Sequence, residues 1–240
     1  MKIKEIQAKN ILSKSKVYDW TINPYVGCQH GCIYCYARFM KRFSGHKENW
    51  GEFVDVKINA PELLSQKIKK KKKGRVWISG VCDPYQPLEK KYELTKKCLE
   101  ILQRNNWPVT IQTKSPLVLR DLALLKKFKE IEVGLTITTA DEKIRKIFEP
   151  KVSSTEERIK ALDKLHQEGI KTYVMIAPLL PKAESLVPKL KGKADYVIID
   201  KMNYHYADWV YKKYQLEKIK NGDALIDLFR KENIPCQVVF

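Results

Sequence analysis

The 240-residue sequence predicts an α/β fold in which parallel strands alternate with helices, as a partial (β/α)6 TIM-like barrel open on one side. Three observations point there. Short apolar runs rich in β-branched residues are followed by amphipathic helical stretches, in about six successive units. No repeat of solenoid or propeller spacing and no low-complexity linker divides the chain. The length suits one domain with a full core, at the size a single α/β barrel needs. Alternation of this kind implies right-handed crossovers. In a barrel or an open sheet alike, ligands sit at the carboxyl ends of the strands. Periodicity alone does not separate the two.

In chain order, Tyr18–Ile22 reads as a strand running into a cysteine-rich loop. Ala60–Lys73 reads as a helix, and Arg75–Ser79 (RVWIS) as a buried strand. Glu93–Asn105 carries Leu94, Cys98, Leu99, Ile101 and Leu102 on a helical stripe. Val109–Thr113 is the next strand, Leu117–Lys129 the next helix, and Ile131–Thr138 the strand after it. Thr155–Glu168 is a helix stopped by Gly169, and Thr172–Ala177 a strand closed by Pro178. A short helix near Ser185–Leu190 precedes the strand Tyr196–Ile199, and the tail holds helices around Trp209–Tyr214 and Gly222–Lys231.

Composition narrows the class. A hydrophobic fraction of 44% with 31% charged residues describes a globular chain. No run is long and apolar enough to span a bilayer, and MKIKEIQAKN lacks the apolar core of a secretory signal. A cytoplasmic location and no membrane partner are therefore expected. The net charge is +18, of which residues 1–73 carry +10, from 16 Lys+Arg against 6 Asp+Glu. This fits a polyanionic partner such as a nucleic acid, and equally a lysine-rich solvated surface. The densest run, Lys67–Lys73, has a local explanation at the exposed end of a helix, where cations suit the dipole.

Six cysteines in a cytosolic chain argue against a disulfide framework. Three crowd into residues 28–35, while Cys82, Cys98 and Cys236 stand alone. Clustering of this kind points to a metal or cluster site. Cys28, Cys32 and Cys35 have the spacing C-x3-C-x2-C, and Gly27 and Gly31 allow the sharp turns that would aim three thiolates into one concavity. Soft thiolates select iron–sulfur clusters, zinc or copper(I), and three of them leave one metal position open. Zinc with His30 or a distant cysteine as fourth ligand is the alternative.

With Tyr34 just before the third cysteine, this spacing resembles the signature of the radical S-adenosylmethionine superfamily. The wider string Asn23–Arg38 (NPYVGCQHGCIYCYAR) resembles the branch similar to spore photoproduct lyase. Ser79–Glu89 (SGVCDPYQPLE) matches a second block of that branch, and Thr113-Lys114-Ser115-Pro116 a third. The resemblance extends from about Asn23 to Pro178. It implies a single domain over 1–240, with a core of about 17–200 and a helical extension at 201–240.

It also implies a 4Fe–4S cluster on the three cysteines, with S-adenosylmethionine chelated to the open iron. Reductive cleavage would give methionine and a 5′-deoxyadenosyl radical that abstracts hydrogen from a substrate. An external flavodoxin- or ferredoxin-like protein would supply the electron, and a nucleic acid or nucleotide is a candidate substrate. By the same resemblance, Lys114 would meet the methionyl carboxylate, and Ser79 and Gly80 the amino group. Thr136 and Thr138 would bond the ribose hydroxyls or serve as ordinary strand residues, and Tyr34 and Tyr36 would lie by the cofactor, Tyr36 near the adenine.

Asp83, Tyr85, Gln86 and Glu89 form a polar cluster whose carboxylates are expected to organise their loop. Cys82 lies near the position where spore photoproduct lyase itself uses a cysteine as hydrogen donor, and is either that donor or a buried, inert thiol. Cys98 and Cys236 read as core. The competing class is a non-catalytic iron–sulfur or zinc protein that binds nucleic acid through its basic N-terminal third.

Overall fold

A computed structural model describes residues 1–219 and 222–239, in two compact units. The first comprises Met1–Gly31, Ala37–Thr113 and Leu117–Glu132; the second comprises Cys32–Tyr36, Lys114–Pro116 and Val133–Phe240.

The first unit holds β1 (Lys2–Ile6), β2 (Leu12–Lys14), β3 (Trp20–Ile22), β4 (Tyr25–Val26) and β5 (Phe53–Lys57). Then come α1 (Ala60–Ile68), β6 (Val76–Ile78), α2 (Glu89–Tyr92), α3 (Leu94–Arg104), β7 (Val109–Thr113) and α4 (Leu122–Leu125). Strands β3, β6 and β7 are successive parallel neighbours, with β2 antiparallel along the edge of β3. A second small sheet has the order β1-β5-β4. In it β5 has no exposed residue, because β1 and β4 flank it and Tyr25, Val54, Val56, Leu88 and Leu94 form one apolar cluster.

The second unit holds all but the first two residues of β8 (Ile131–Thr136), with α5 (Glu142–Phe148), α6 (Thr155–Gln167), β9 (Lys171–Ile176), α7 (Val187–Leu190), β10 (Tyr196–Ile199), α8 (Asp208–Lys213), α9 (Asp223–Lys231) and β11 (Cys236–Val238). Strands β9, β10 and β11 are parallel. Both units are α/β, their strands are mostly parallel and their sheets do not close, in keeping with the expected partial barrel.

Local chemistry explains where the elements stop. In α6 the Ser154 hydroxyl accepts from the Glu157 amide while the Glu157 carboxylate accepts from the Ser154 amide, a reciprocal cap. Gly169 follows the helix at φ +77°, as its sequence position predicts. By contrast α1 ends at Ile68 and does not run on to Lys73. Its buried stripe, Ala60, Leu64 and Ile68, ends there, and the five lysines that follow repel one another. The expected helix over Leu117–Lys129 is instead a 3₁₀ turn, Pro116–Asp121, followed by the short α4.

Helix α5 was absent from the sequence-based expectation; it starts at Asp141, whose carboxylate accepts from the amides of Lys143 and Ile144. The tail likewise contains β11, with Cys236 half-buried on it rather than in a core. The expected Gly222–Lys231 helix is present as α9.

Gly134 on β8 shows how tightly the second unit is packed. A Cβ there would overlap the ring of Tyr173, itself buried and stacked on Tyr196 with centroids 5.4 Å apart. Gly134→Ala is expected to cost about 1–3 kcal/mol, the usual penalty of overpacking. The measurement is the urea midpoint, and an unchanged midpoint would contradict this packing.

Candidate active site

The C-x3-C-x2-C loop starts in the first unit with Cys28 and continues in the second with Cys32 and Cys35. None of the three is in a disulfide; Cys28 and Cys32 are buried and Cys35 is half-buried. Gly27 and Gly31 both have positive φ, +91° and +58°. A Cβ on Gly27 would run into the Phe53 carbonyl, and one on Gly31 would lie 3.3 Å from the Gly51 Cα. The backbone around Cys28 therefore lies directly on residues 51–53, an approach open only to glycine.

In the first unit the loop is clamped by the Ser79–Glu89 segment. The Gln86 side chain accepts from the Gln29 amide at 2.9 Å and donates to the Gly27 carbonyl at 3.3 Å. The Gln29 side chain in turn accepts from the Leu88 amide. Asp83 accepts from Thr113 Oγ1 at 2.6 Å and from the Tyr85 amide at 2.9 Å, and its other oxygen lies 3.4 Å from His30 Nε2.

Glu89 is wholly buried and accepts from the Tyr25 hydroxyl, the Thr95 and Lys96 amides and the Arg120 guanidinium. The carboxylates of this segment thus spend their lone pairs on backbone and on neighbouring side chains. That is the organising role expected of them.

Ser79, at the end of β6, has φ +64°, a left-handed conformation that costs a non-glycine residue free energy. Gly80 lies against the Trp77 ring, which a Cβ would approach to 3.0 Å. Cys82 is half-buried and packs against the apolar cluster of β4 and β5. Burial pushes its thiol up to about 12, with the Ser79 hydroxyl and the Lys57 charge pulling the other way. It is a protonated S–H at neutral pH. Cys98 is fully buried on α3, as its stripe predicts.

In the second unit Cys32 and Tyr34 belong to a core with Phe148, Val152, Leu180 and Tyr211, and the Ile33 amide donates to the Phe148 carbonyl at 2.9 Å. The Tyr34 hydroxyl donates to Glu149. Glu149 also accepts from Thr138 Oγ1 at 3.2 Å and pairs with Arg158 at 2.8 Å, and both ionic side chains are fully buried. Arg158 donates a further bond of 2.7 Å to the Thr136 carbonyl. Lys114 Nζ stands 5.6 Å from the centroid of the Tyr34 ring.

Burial alone would raise the Glu149 carboxyl, but the charges of Arg158 and Lys114 and the Tyr34 hydrogen bond hold it below the usual carboxylate range. Burial, followed by the Glu149 charge, pushes the Tyr34 phenol well up. Burial raises the Cys32 thiol, against the pull of Lys114. Tyr36 is exposed, and its ring lies 6.2 Å from that of Tyr204.

Of the residues singled out from sequence, the second unit gathers Cys32, Tyr34, Lys114, Thr136 and Thr138 around one buried ion pair, while Cys28, Ser79, Gly80 and Cys82 lie in the first. The pair itself, Glu149–Arg158, escaped the sequence reading. Its members are nine residues apart, one just past the unrecognised α5 and one on α6, so no spacing rule joins them. Thr138 was expected at the end of a strand; β8 ends at Thr136, and the Thr138 hydroxyl is turned to Glu149.

A cysteine-bearing loop on a mostly parallel α/β scaffold, with Lys114 by its Tyr34 ring, is the arrangement that the sequence comparisons put in a class. The sequence profile of the radical SAM superfamily matches residues 22–184, and the chain belongs to that superfamily. It is 35% identical to the uncharacterized protein MJ0683 of Methanocaldococcus jannaschii, over 98% of this chain and 95% of that protein. It is 32% identical to the uncharacterized protein ORF301 of Acidianus two-tailed virus, over 68% of this chain and 56% of that protein.

Among solved structures it shares its fold with spore photoproduct lyase complexed with dinucleoside spore photoproduct. There the TM-score is 0.72 at 16% identity, over 98% of this chain and 81% of that one. Streptococcus suis SuiB bound to S-adenosylmethionine gives a TM-score of 0.60 at 16% identity, covering 92% of this chain and 50% of that one. Membership supports an enzyme of S-adenosylmethionine-dependent radical chemistry. Among the described residues, no helix is long and apolar enough to cross a membrane.

Proposed function

We propose that the protein is a radical enzyme in which Cys28, Cys32 and Cys35 hold a 4Fe–4S cluster and S-adenosylmethionine occupies the open iron. The observation that carries the reading is the three-thiol loop inside a superfamily match that spans it. The residues suit the group: three soft thiols, none of them in a disulfide, on a backbone turned by two glycines at positive φ. When bound, the cluster and S-adenosylmethionine supply one-electron cleavage of the sulfonium, giving methionine and a 5′-deoxyadenosyl radical that takes a hydrogen atom from substrate.

The chain's own residues bind and orient. Lys114 provides the cation for the methionyl carboxylate, and the Tyr34 ring beneath it is fixed by Glu149. Ser79 and Gly80 present small groups for the amino end, and Thr136 serves the ribose. Thr138 is reassigned to holding Glu149, because its hydroxyl is already donated there. Tyr36 lies on the adenine side. Cys82, protonated at neutral pH, has the chemical form a hydrogen-atom donor needs, and an external flavodoxin- or ferredoxin-like protein provides the electron. The basic residues 1–73 favour a polyanionic substrate or partner, and the cytosol is its place.

Anaerobic reconstitution is expected to give a brown protein with about four irons and four sulfides per chain. Reduced with dithionite, it should convert S-adenosylmethionine to 5′-deoxyadenosine. A fully loaded protein that forms none would overturn the enzymatic reading. A purified protein with one zinc and no iron would favour the non-catalytic class instead.

A further inference from the structure

The rings of Tyr36, Tyr204 and Tyr206 form a continuous stack in the second unit. Tyr36 and Tyr204 have centroids 6.2 Å apart with planes 20° from parallel; for Tyr204 and Tyr206 the values are 5.7 Å and 6°. The rings do not belong to a buried core: Tyr36 is 40% exposed and Tyr204 48%. Other tyrosines of this chain show the contrast, since Tyr25 and Tyr34 are buried and give their hydroxyls to carboxylates. The stack starts on the residue after the third cysteine and continues on the segment leaving the carboxyl end of β10, the end at which α/β sheets hold ligands.

The same segment is rich in further aromatic and cationic groups. Trp209 is 54% exposed and Tyr214 45%. Lys212 and Lys213 accompany them, with Lys213 Nζ 5.4 Å from the Tyr214 ring, while Lys218 is tied to Asp208 at 2.6 Å. Solvent-facing aromatic rings are costly to leave uncovered, and a patch of this kind marks a binding surface. Parallel rings offering π-faces, interleaved with lysines in a chain of net charge +18, match the two needs of single-stranded nucleic acid. Bases stack on aromatic rings while phosphates meet cations.

We infer that the Tyr36–Tyr204–Tyr206 stack is a platform on which unpaired bases of a single-stranded nucleic acid continue the ladder. It thereby supplies the substrate class of the radical site, an assignment that rests on the enzymatic reading above. Tyr204 and Tyr206 are the base-stacking residues, and Lys212 and Lys213 meet the phosphates. A base on the ladder is held by its face, so the surface tolerates many sequences.

The test uses the full-length reconstituted protein and two fluorescein-labelled probes, a short oligothymidylate and an abasic oligomer of the same length. The two carry equal phosphate charge, so only the bases differ. The wild type is expected to bind the oligothymidylate at least about tenfold more tightly than the abasic probe. Tyr204→Ala/Tyr206→Ala should erase most of that difference without weakening abasic binding, whereas Tyr204→Phe/Tyr206→Phe, which keeps the rings, should retain it.

Equal binding of the two probes by the wild type overturns the platform, as does an alanine pair that still discriminates. A protein that stacks bases but never forms 5′-deoxyadenosine removes the enzymatic reading alone. One that forms 5′-deoxyadenosine but binds both probes equally removes the platform alone.

Discussion

Replacing Cys32 or Cys35 by serine is expected to leave the protein without its cluster and without 5′-deoxyadenosine production. A serine hydroxyl is a hard, weakly acidic ligand, and with the three thiols proposed as the ligand set, the loss of one would leave the cluster two protein bonds. Removing a mere outer partner of a metal site costs roughly 10- to 100-fold in affinity or activity, and removing a ligand is expected to cost more. The measurements are iron and sulfide content, the visible absorbance of the reconstituted protein, and turnover under dithionite.

Cys32 sits in the core beside Tyr34 and Phe148, so its serine variant also buries a hydroxyl, at a cost of about 1–3 kcal/mol. Cys35 is half-buried and carries less of that burden, which makes it the cleaner variant. Cys236→Ser, on the terminal strand, should load iron like the wild type. A folded Cys35→Ser protein with a full complement of iron would remove this residue from the ligand set.

Much of the cysteine loop is legible in the sequence, and the reasons are local. The spacing of the three cysteines, Gly27 and Gly31 lies within nine residues, and the turns these glycines permit are present. Asp83 and Glu89 read from sequence as carboxylates that organise their loop, and each is engaged with backbone amides. Long amphipathic elements with strong punctuation, such as α6 between Ser154 and Gly169, are visible for the same reason.

What escaped depended on distant partners. β1 and β5 are short, and one of them is largely exposed; they acquire their identity by pairing across some fifty residues of chain. Helix α5 has only seven residues, too few for its periodicity to stand out. The ladder of Tyr36, Tyr204 and Tyr206 joins residues more than 160 positions apart. No pattern in the sequence links an exposed aromatic at a cysteine loop to two others near the tail.

The buried pair behind Tyr34 makes the sharpest claim about stability. Glu149 is fully enclosed, and the guanidinium of Arg158, 2.8 Å away, is its nearest compensation, with the Lys114 charge and the hydroxyls of Tyr34 and Thr138 completing the set. Arg158→Met keeps most of the buried volume but removes the cation, leaving a carboxylate whose desolvation is no longer offset. The expected cost is about 3–5 kcal/mol at neutral pH, against a much smaller cost for the apolar double replacement Glu149→Met/Arg158→Met.

The pH dependence separates this from ordinary loss of packing. In the wild type the Glu149 carboxyl lies below its unfolded value of about 4.3, so its contribution is present above that value and is lost as pH falls through the folded one. In Arg158→Met burial dominates and lifts the folded value above the unfolded one. The penalty is then present at neutral pH and relieved on acidification, because the buried group takes up a proton. The stability gap between wild type and variant should therefore narrow from pH 7 toward about pH 5, measured by urea unfolding at each pH. A gap that stays constant over that range would mean that Glu149 does not carry its charge into the core, and that Tyr34 is not anchored by a carboxylate.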